Sequence, residues 1–423
     1  MSEYFETHNL LPQTQHGFRK NRSTTSVLLA VMGKIATMRQ RGFEVAMASY
    51  DLSAAFDCLD ADVLDKKLAL YGLDENSRKW VMSFLTDRRQ YVRIGNQRSP
   101  VANVSIGSPQ GSVISPFLFI VYIADMDCWI DEGSLSGYAD DTALMVFGKT
   151  REAALAGLEK ATKEIFRFFA SNQLVANASK TSFFIVRTPR EQIQTNYTLQ
   201  VGQSRIAESE SINLLGVTIM RNLSWDTHVR NVVASLRSAN GLISRITTYV
   251  PNRMVTPLVH GLILSKIRYC LPLFCDIRQS PEDPITNTMH NLQVQLNNAL
   301  RVVSGVKIED QVGVVDLLNQ AGVPSVNQLA AETTLMETWR QLNLELPAGE
   351  CFIYRDDHTH DRRTRNSEKN LLVTPLPGGA GAANFLTQGT ALWNSAPSTI
   401  RHEKNTNKAK QIAKCFCSSL PLI

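Results

Sequence analysis

The 423-residue sequence lacks the features that would assign it to a membrane or to the secretory pathway. Its longest apolar run, VISPFLFIVYIA (113–124), is broken by Ser115 and Pro116 and is too short to cross a bilayer. The N-terminal MSEYFETHNL is acidic and polar, which is not typical of a signal peptide. These absences predict no membrane partner.

Cysteine is scarce, and charge of one sign is not abundant. The seven cysteines form no recognisable framework, and Cys415-Phe-Cys417 has no downstream ligands, so a zinc knuckle is not supported. The odd number indicates reduced thiols. The net charge of +5 comes from residues 351–423, which hold ten Lys and Arg against five Asp and Glu. A basic segment points to nucleic acid, and a solvated surface segment explains it equally well.

Hydrophobic patterning predicts an α+β core followed by helices. The chain length allows two or three domains. Helices are predicted at 23–41, 60–72, 74–88, 151–172 and from about Pro116, with strands at 43–51, 90–95, 100–107, 182–187, 197–207 and 212–219. This order gives an antiparallel sheet backed by helices. A helical annex with an apolar stripe is predicted from Trp225, and a looser C-terminal segment from residue 346.

Three aspartates are predicted to meet at one edge of the sheet. Asp51 ends the strand 43–51, and Asp140 and Asp141 occupy the turn of a hairpin in SGYADDTALMVF (136–147). Each aspartate alone is ordinary turn chemistry. Three carboxylates at one edge repel one another unless some are protonated or a divalent cation binds them. The pattern therefore indicates a cation site of the kind that supports phosphoryl transfer.

The sequences around these aspartates resemble a family. YDLSAAFD (50–57), GSPQGSVISPFLF (107–119) and YADD (138–141) stand in the order and spacing of reverse transcriptases. The flanking LLPQTQHGFRKNRSTTSVLL (10–29), LLGVTIMRNLSWDTHV (214–229) and ALWNSAPSTIR (391–401) are similar to jockey-like reverse transcriptases of non-LTR retrotransposons. The resemblance implies a right-hand polymerase. Its partial fingers and palm would span residues 1–220, a helical thumb 221–345 and a basic C-terminal segment 346–423.

The resemblance also implies an activity: RNA-directed DNA synthesis by two-metal nucleotidyl transfer. An RNA template, a DNA primer and deoxynucleoside triphosphates would be the partners, and the location would be nuclear. Two Mg²⁺ ions, or Mn²⁺ in their place, would be held by Asp51, Asp140 and Asp141 with the backbone carbonyl of Leu52. The alternative is a catalytically impaired or domesticated remnant that only binds nucleic acid.

Further site residues follow from the same resemblance. Gln110 and Gly111 would line the nucleotide site and help to place the template base, and LLGV (214–217) would hold the primer end. Lys180 would protonate the leaving pyrophosphate, with an ordinary surface lysine as the alternative. Phe56, five residues after Asp51, would exclude a 2′-hydroxyl. The alternative for Phe56 is an anchor that fixes the following helix to the core.

Five basic residues are candidate contacts to nucleic-acid phosphates. Arg19, Lys20 and Arg22 precede the first predicted helix, and Arg230 and Arg237 lie two helical turns apart in the annex. Solvated surface positions are the alternative for each. The family carries triphosphate-clamping fingers strands before GFR and an endonuclease domain, neither of which this sequence contains. We therefore expect nucleic-acid binding with weak polymerisation, and an endonuclease supplied by a separate partner.

Overall fold

A computed structural model describes residues 1–52, 54–175, 180–188, 197–201, 204–247, 249–250, 254–354, 371–372 and 384–422. The chain divides into two compact units. The first comprises Met1–Val27, Gly42–Val186 and Gln192–Leu215, and the second comprises Leu28–Arg41, Arg187–Glu191 and Gly216–Ile423.

The first unit combines helices with strands. Its helices are α1 (Ser2–Thr7), the start of α2 (Thr24–Gln40), α3 (Ala61–Leu70), α4 (Glu75–Leu85), α5 (Ser115–Tyr122) and α6 (Arg151–Ser171), with short 3₁₀ turns at Ala55–Cys58 and Met126–Trp129. Its strands are β1 (Glu44–Tyr50), β2 (Arg88–Gln90), β3 (Arg93–Ile94), β4 (Gln97–Arg98), β5 (Ala102–Val104), β6 (Ser134–Tyr138), β7 (Asp141–Gly148), β8 (Ser182–Ile185), β9 (Thr198–Val201), β10 (Ser204–Ala207) and β11 (Ser211–Leu214).

A four-stranded antiparallel sheet in the order β6-β7-β1-β8 forms the centre of this unit. The central strand β1 is buried from Val45 to Tyr50. Helix α6 covers the sheet, and the hydroxyls of Tyr50 and Thr162 lie 2.6 Å apart in a buried hydrogen bond. Each large apolar side chain buried in such a core contributes about 1.5–3 kcal/mol. The fold is α+β, as predicted.

Local chemistry explains where the helices begin. Asp60 accepts a hydrogen bond from the backbone N–H of Val63 at the start of α3, and Asp74 caps α4 in the same way. Helix α4 ends at Leu85, three residues before its predicted end, because Thr86 adopts an extended backbone. The single strand predicted over 197–207 is wrong, since β9 and β10 pair with each other antiparallel.

The predicted strand 212–219 is interrupted. Strand β11 ends at Leu214, and a new strand, β12 (Val217–Met220), begins three residues later. Leu215 and Gly216 both have positive φ angles, of 52° and 75°, which is the backbone of a tight hairpin turn. The turn falls within LLGV, but the role of LLGV at the primer end stays a prediction.

The second unit is mostly helical in its described part. It contains most of α2, then α7 (Asp226–Ile246), α8 (Val255–Val259), a π-helical turn (His260–Leu264), α9 (Ser265–Arg268), α10 (Asn287–Ser304), α11 (Val314–Ala321), α12 (Val326–Asn343), α13 (Asn384–Ser395), α14 (Ser398–His402) and α15 (Thr406–Ser418). Besides β12, its strands are β13 (Ile353–Tyr354) and β14 (Leu371–Leu372), which pair with each other. The predicted stripe on α7 is buried at Val229, Val233, Leu236 and Ile243.

The C-terminal helices are packed rather than loose. Trp393 on α13 and Cys417 on α15 are buried, and the indole N–H of Trp339 on α12 donates a 3.0 Å hydrogen bond to the carbonyl of Glu403. Hydrophobic burial along α13 and α15 therefore fixes residues 384–422 within this unit, which corrects the prediction of a looser segment. The sequence PLPGGAGAAN (375–384) is typical of a connector, and all of it except Asn384 lies outside the described residues. The boundaries predicted for fingers, palm and thumb stay predictions.

Among the helices that the structure describes, none combines the length and the apolar character needed to cross a bilayer. All seven cysteines lie within the described residues, and none of them forms a disulfide.

Candidate active site

The antiparallel register of the sheet brings the three aspartates to one edge. Tyr50, the last residue of β1, pairs with Thr142 of β7. Asp51 follows Tyr50 and Asp141 precedes Thr142, so these two aspartates come next along the same ladder. Asp140 lies in the two-residue turn that joins β6 to β7. The predicted convergence at one sheet edge is therefore what strand pairing produces.

The surroundings of Asp141 disfavour its ionised form. Its carboxyl is partly buried, and its pKa is raised to about 6, first by burial and then by the negative charges of Asp140 and Asp51. Asp51 is more exposed, and its Oδ1 lies 3.3 Å from Nζ of Lys180. Asp141 therefore resists ionisation, first because it is partly buried and then because two further carboxylates lie nearby.

The three carboxylates at this edge are the kind of ligand that a hard divalent cation prefers. Within the described ranges, no group of three His, Cys, Asp or Glu side chains is placed to hold a metal ion. Asp51 contacts Lys180. A bound cation would stabilise the ionised form of Asp141 and so lower its raised pKa. The residues therefore fit Mg²⁺ by chemistry.

The turn that carries Asp140 is held by a buried glutamine. Oε1 of Gln15 accepts hydrogen bonds from the backbone N–H groups of Ala139, at 3.0 Å, and of Gly17, at 2.7 Å. Gln15 is only 5% exposed. Ala139 has a positive φ of 56°, a conformation that side-chain-bearing residues seldom adopt. The glutamine therefore supports a strained turn at the point where the aspartates must be positioned.

The backbone of residues 14–17 also runs along this turn. The N–H of His16 donates to the carbonyl of Gly137 at 2.7 Å, and the N–H of Gly137 donates to the carbonyl of Thr14 at 2.9 Å. A Cβ atom on Gly17 would lie 2.4 Å from the Ala139 nitrogen. Only glycine permits this close approach. The QHGF segment is thus a structural support for the YADD turn.

A second loop, residues 107–111, docks on the 3₁₀ turn that follows Asp51. The N–H of Gly107 donates to the carbonyl of Leu59 at 2.8 Å, and the N–H of Ser108 donates to the carbonyl of Phe56 at 2.9 Å. Nε2 of Gln110 donates to the Asp57 carboxylate at 3.0 Å. These bonds place GSPQG beside the residues that follow Asp51.

Within this loop, Gln110 and Gly111 are exposed. Gly111 has a φ of 79°, and a Cβ there would meet open space. Both residues are therefore accessible to a ligand, as their predicted contact with a nucleotide requires.

Phe56 is half-buried and already acts as an anchor. Its ring centroid lies 4.7 Å from that of buried Phe119, and the exposed ring of Phe18 lies 6.4 Å away on another side. This packing agrees with the core-anchor alternative and leaves part of the ring accessible, so the sugar-gate role stays a prediction. Leu52 is buried next to Asp51, and its role as a carbonyl ligand also stays a prediction.

Lys180 lies at the same edge of the sheet. It precedes β8, which pairs antiparallel with β1 so that Ser182 stands opposite Ser49. This pairing brings the Lys180 ammonium within 3.3 Å of the Asp51 carboxylate, on an exposed surface. A cation that could donate a proton therefore stands beside the aspartates, although a proton-transfer role is not tested by position alone.

Arg19 and Arg22 are held by contacts within the protein. The Arg19 guanidinium is 5% exposed, and it forms an ion pair with Glu6 and donates to the carbonyl of Pro12 at 2.6 Å. Arg22 donates to the side chain and carbonyl of Gln13, and burial lowers its pKa to about 10. Both guanidinium groups are engaged within the protein, and their assignment to template phosphates stays a prediction. Lys20 is exposed and stays a candidate.

Arg230 and Arg237 both lie on the exposed face of α7. Arg230 donates to the hydroxyl of Thr227 at 3.1 Å, a local contact that leaves the guanidinium at the surface. Both residues belong to the second unit. Their proposed contact with a nucleic-acid duplex stays a prediction.

Sequence reasoning missed the supporting residues of the site. Gln15 and Gly17 stand within the segment that carries the family resemblance, but no local pattern separates a buried glutamine from a surface one. Asp57, which holds Gln110, and Arg88, which donates to the carbonyl of Ile106 at 3.0 Å, were also not predicted. The sequence offered one sign of this support: Gly17 follows closely after Gln15, and a glycine often marks a place where two backbone segments come close together.

Comparison with known proteins identifies a family for the first half of the chain. The family described as "Reverse transcriptase (RNA-dependent DNA polymerase)" matches residues 1–219. The RNA-directed DNA polymerase from mobile element jockey of Drosophila melanogaster is 29% identical over 241 residues, 54% of this chain and 25% of that protein. The probable RNA-directed DNA polymerase from transposon BS of the same species is 25% identical over 245 residues, 54% of this chain and 26% of that protein. The matched part thus spans about a quarter of these relatives.

Solved structures with similar folds are distant. Apo telomerase from Candida tropicalis gives a TM-score of 0.40 at 10% identity, over 78% of this chain and 53% of that chain. Telomerase from Candida albicans in complex with a fragment of telomeric RNA gives 0.37 at 12% identity, over 80% of this chain and 53% of that chain. The match over residues 1–219 covers more than half of the sequence, and the chain belongs to the reverse transcriptase family.

Proposed function

We propose that this chain is the polymerase part of a non-LTR retrotransposon reverse transcriptase and that it extends a DNA primer on an RNA template. The observation that carries the proposal is the ladder of β1 and β7, which brings Asp51 and Asp141 to one edge beside the Asp140 turn. Polymerases of this family generally use divalent metal ions, and relatives named as RNA-directed DNA polymerases support the substrate class.

Asp51, Asp140 and Asp141 would hold the ions, and the ions would supply charge stabilisation for the attacking and leaving oxygens. A carboxylate must be ionised to bind a cation, and because the pKa of Asp141 is raised to about 6, a proton would compete with the cation there at lower pH. Lys180 stands where it can hold a proton near Asp51 and give it to a departing anion.

Around these groups, the protein supplies positioning. The loop 107–111 is fixed to the turn after Asp51, so Gln110 and Gly111 would stand beside the base pair that forms. Phe56, anchored on Phe119, would present its remaining ring surface to the sugar. Holding reactants in a fixed orientation is a major part of catalysis in phosphoryl transfer. Nuclear location and a separate endonuclease partner remain part of the proposal.

Primer extension on a matched RNA template tests the proposal. Asp140→Asn should reduce extension to background while template binding is retained, because a lost ligand removes several kcal/mol of transition-state stabilisation. Asp131→Asn is the matched control, since Asp131 is an exposed aspartate that pairs with Lys160 outside the site. Equal extension by Asp140→Asn and Asp131→Asn would contradict the proposal. Binding of template by the wild-type chain without any extension would favour the remnant alternative.

A further inference from the structure

Residues Arg88–Val104 form an exposed arm, here called the arginine hairpin. Its base is the pairing of β2 with β5, and its tip is the pairing of β3 with β4. Every residue from 89 to 103 is exposed, including the apolar Val92 and Ile94, which are 63% and 78% exposed. A two-stranded hairpin without a buried face is only marginally stable in water. Such an arm presents its whole surface to a ligand.

The charge of the hairpin is entirely positive. It holds four arginines, and no acidic residue occurs from residue 88 to residue 124. The register of β3 and β4 sets Arg93 directly opposite Arg98. Like charges opposite each other in a ladder are destabilising, and the hairpin carries no carboxylate that could offset the repulsion. The arrangement favours a bound polyanion.

An aromatic ring accompanies the arginines. The guanidinium carbon of Arg98 lies 5.1 Å from the ring centroid of Tyr91, and Tyr91 is 46% exposed. Guanidinium groups and exposed aromatic rings offer flat faces on which unpaired bases stack, whatever their sequence. Positive charge interleaved with an aromatic face is typical of surfaces that bind single-stranded nucleic acid.

The hairpin is attached directly to the candidate active site. Nε of Arg88 donates to the carbonyl of Leu85 at 2.8 Å, and its Nη2 donates to the carbonyl of Ile106 at 3.0 Å. Arg88 is therefore a structural residue that fixes the base of the hairpin next to Gly107. From Gly107 the chain enters the loop that docks on the turn after Asp51. A strand held by the hairpin would lead to that loop.

We propose that the arginine hairpin binds the phosphate backbone of the single-stranded template through Arg89, Arg93 and Arg98, with Tyr91 stacking on a base. The identification of the strand as template rests on the proposed function, whereas the binding itself does not. We infer a single-stranded ligand because its phosphates would bind the arginines and its unpaired bases would be free to stack on the Tyr91 ring.

Equilibrium binding of a fluorescent single-stranded RNA to the full chain, measured across salt concentrations, tests this. The variant with Arg89→Ala, Arg93→Ala and Arg98→Ala should bind about tenfold or more weakly at moderate salt. Its plot of log affinity against log salt should be shallower by about 2, since each phosphate contact on a single strand contributes roughly 0.7. The matched control carries alanine in place of Lys79, Lys160 and Lys163. These three lysines lie on α4 and α6 and form ion pairs with acidic residues. That control should leave the slope unchanged.

Two further variants keep the result interpretable. Arg93→Ala alone relieves the repulsion with Arg98, so it should keep the melting temperature and lower the slope by about 0.7. Replacing the three arginines by lysine should restore most of the slope. An unchanged slope and affinity in both alanine variants would overturn the inference, and the polymerase proposal would then still stand on primer extension. If the hairpin variants weaken RNA binding but the wild-type chain extends no primer, the polymerase proposal is contradicted and the inference about the hairpin stands.

Discussion

The backbone N–H of Ala139 donates a 3.0 Å hydrogen bond to Oε1 of Gln15, across 124 residues of sequence. The same oxygen accepts the N–H of Gly17 at 2.7 Å, so one buried side chain ties the QHGF segment to the YADD turn. The turn holds Ala139 in a left-handed conformation at a φ of 56°. Positions of this kind persist only where surrounding contacts hold them. Gln15 is therefore a positioning residue for the aspartates.

Replacement of Gln15 by Met should separate this role from simple filling of space. Methionine has a similar volume but leaves two buried N–H groups without an acceptor, which costs about 1–3 kcal/mol for each unsatisfied group. We expect a lower melting temperature and reduced primer extension with template affinity retained. Gln320→Met on the exposed face of α11 is the control and should change neither. Wild-type extension and stability in Gln15→Met would show that the turn needs no such support.

Replacement of Gly17 by Ala should displace the same turn from the other side. The new Cβ would lie 2.4 Å from the Ala139 nitrogen, so the backbone of one segment must move, at a cost of about 1–3 kcal/mol. Primer extension should fall together with stability. Gly241→Ala is the matched control, because a Cβ there meets open space on α7. A helical Gly-to-Ala change should instead stabilise by about 0.5–1 kcal/mol. If Gly17→Ala and Gly241→Ala had the same stability and the same primer extension, the close approach of Gly17 to Ala139 would not matter for the site.

The raised pKa of Asp141 predicts a pH-dependent instability in metal-free protein. Its ordinary value is 3.8 and its folded value is about 6, so the folded state binds the proton more tightly. The resulting stabilisation is fully present below pH 3.8 and is lost as the pH rises through about 6. Because the group is partly exposed, we expect a loss on the order of 1–2 kcal/mol by neutral pH.

Asp141→Asn isolates this effect. In chelator at pH 7.5 the variant should be more stable than wild type, and at pH 4 the difference should largely vanish, as read by urea unfolding at each pH. Added Mg²⁺ should stabilise the wild type by binding the folded state, and it should stabilise the variant less. A stability difference that does not depend on pH would argue against charge repulsion at Asp141.

Phe56→Ala should relax discrimination between sugars. Removal of the ring opens space beside the incoming nucleotide, so ribonucleotide incorporation should rise relative to deoxynucleotide incorporation. The change also removes the contact with Phe119, so a lower melting temperature is expected in addition. Phe18→Ala, which removes the exposed ring on the other side of Phe56, is the control and should leave the ratio unchanged. A constant ratio in Phe56→Ala would leave the anchor as its whole role.

The sequence by itself determined the elements that carry the aspartates. Period-two and period-3.6 patterns are local properties of the chain, and they placed β1, β7, α3 and α6 within a few residues. The clustering of like charges at strand ends and in a tight turn was also visible locally. Helix ends and hairpin turns were less certain, because they depend on single backbone conformations such as those of Thr86, Leu215 and Gly216.

Only the tertiary structure decided which polar side chains face inward. Arg19 and Arg22 look like solvated cations in sequence, but folding of the N-terminal segment gives Arg19 the carboxylate of Glu6 and gives Arg22 the side chain of Gln13. Gln15 supports Ala139 through a contact that spans 124 residues, which no local pattern encodes. Burial and hydrogen bonding depend on what the rest of the chain brings to a side chain, and that is set by packing rather than by neighbours in sequence.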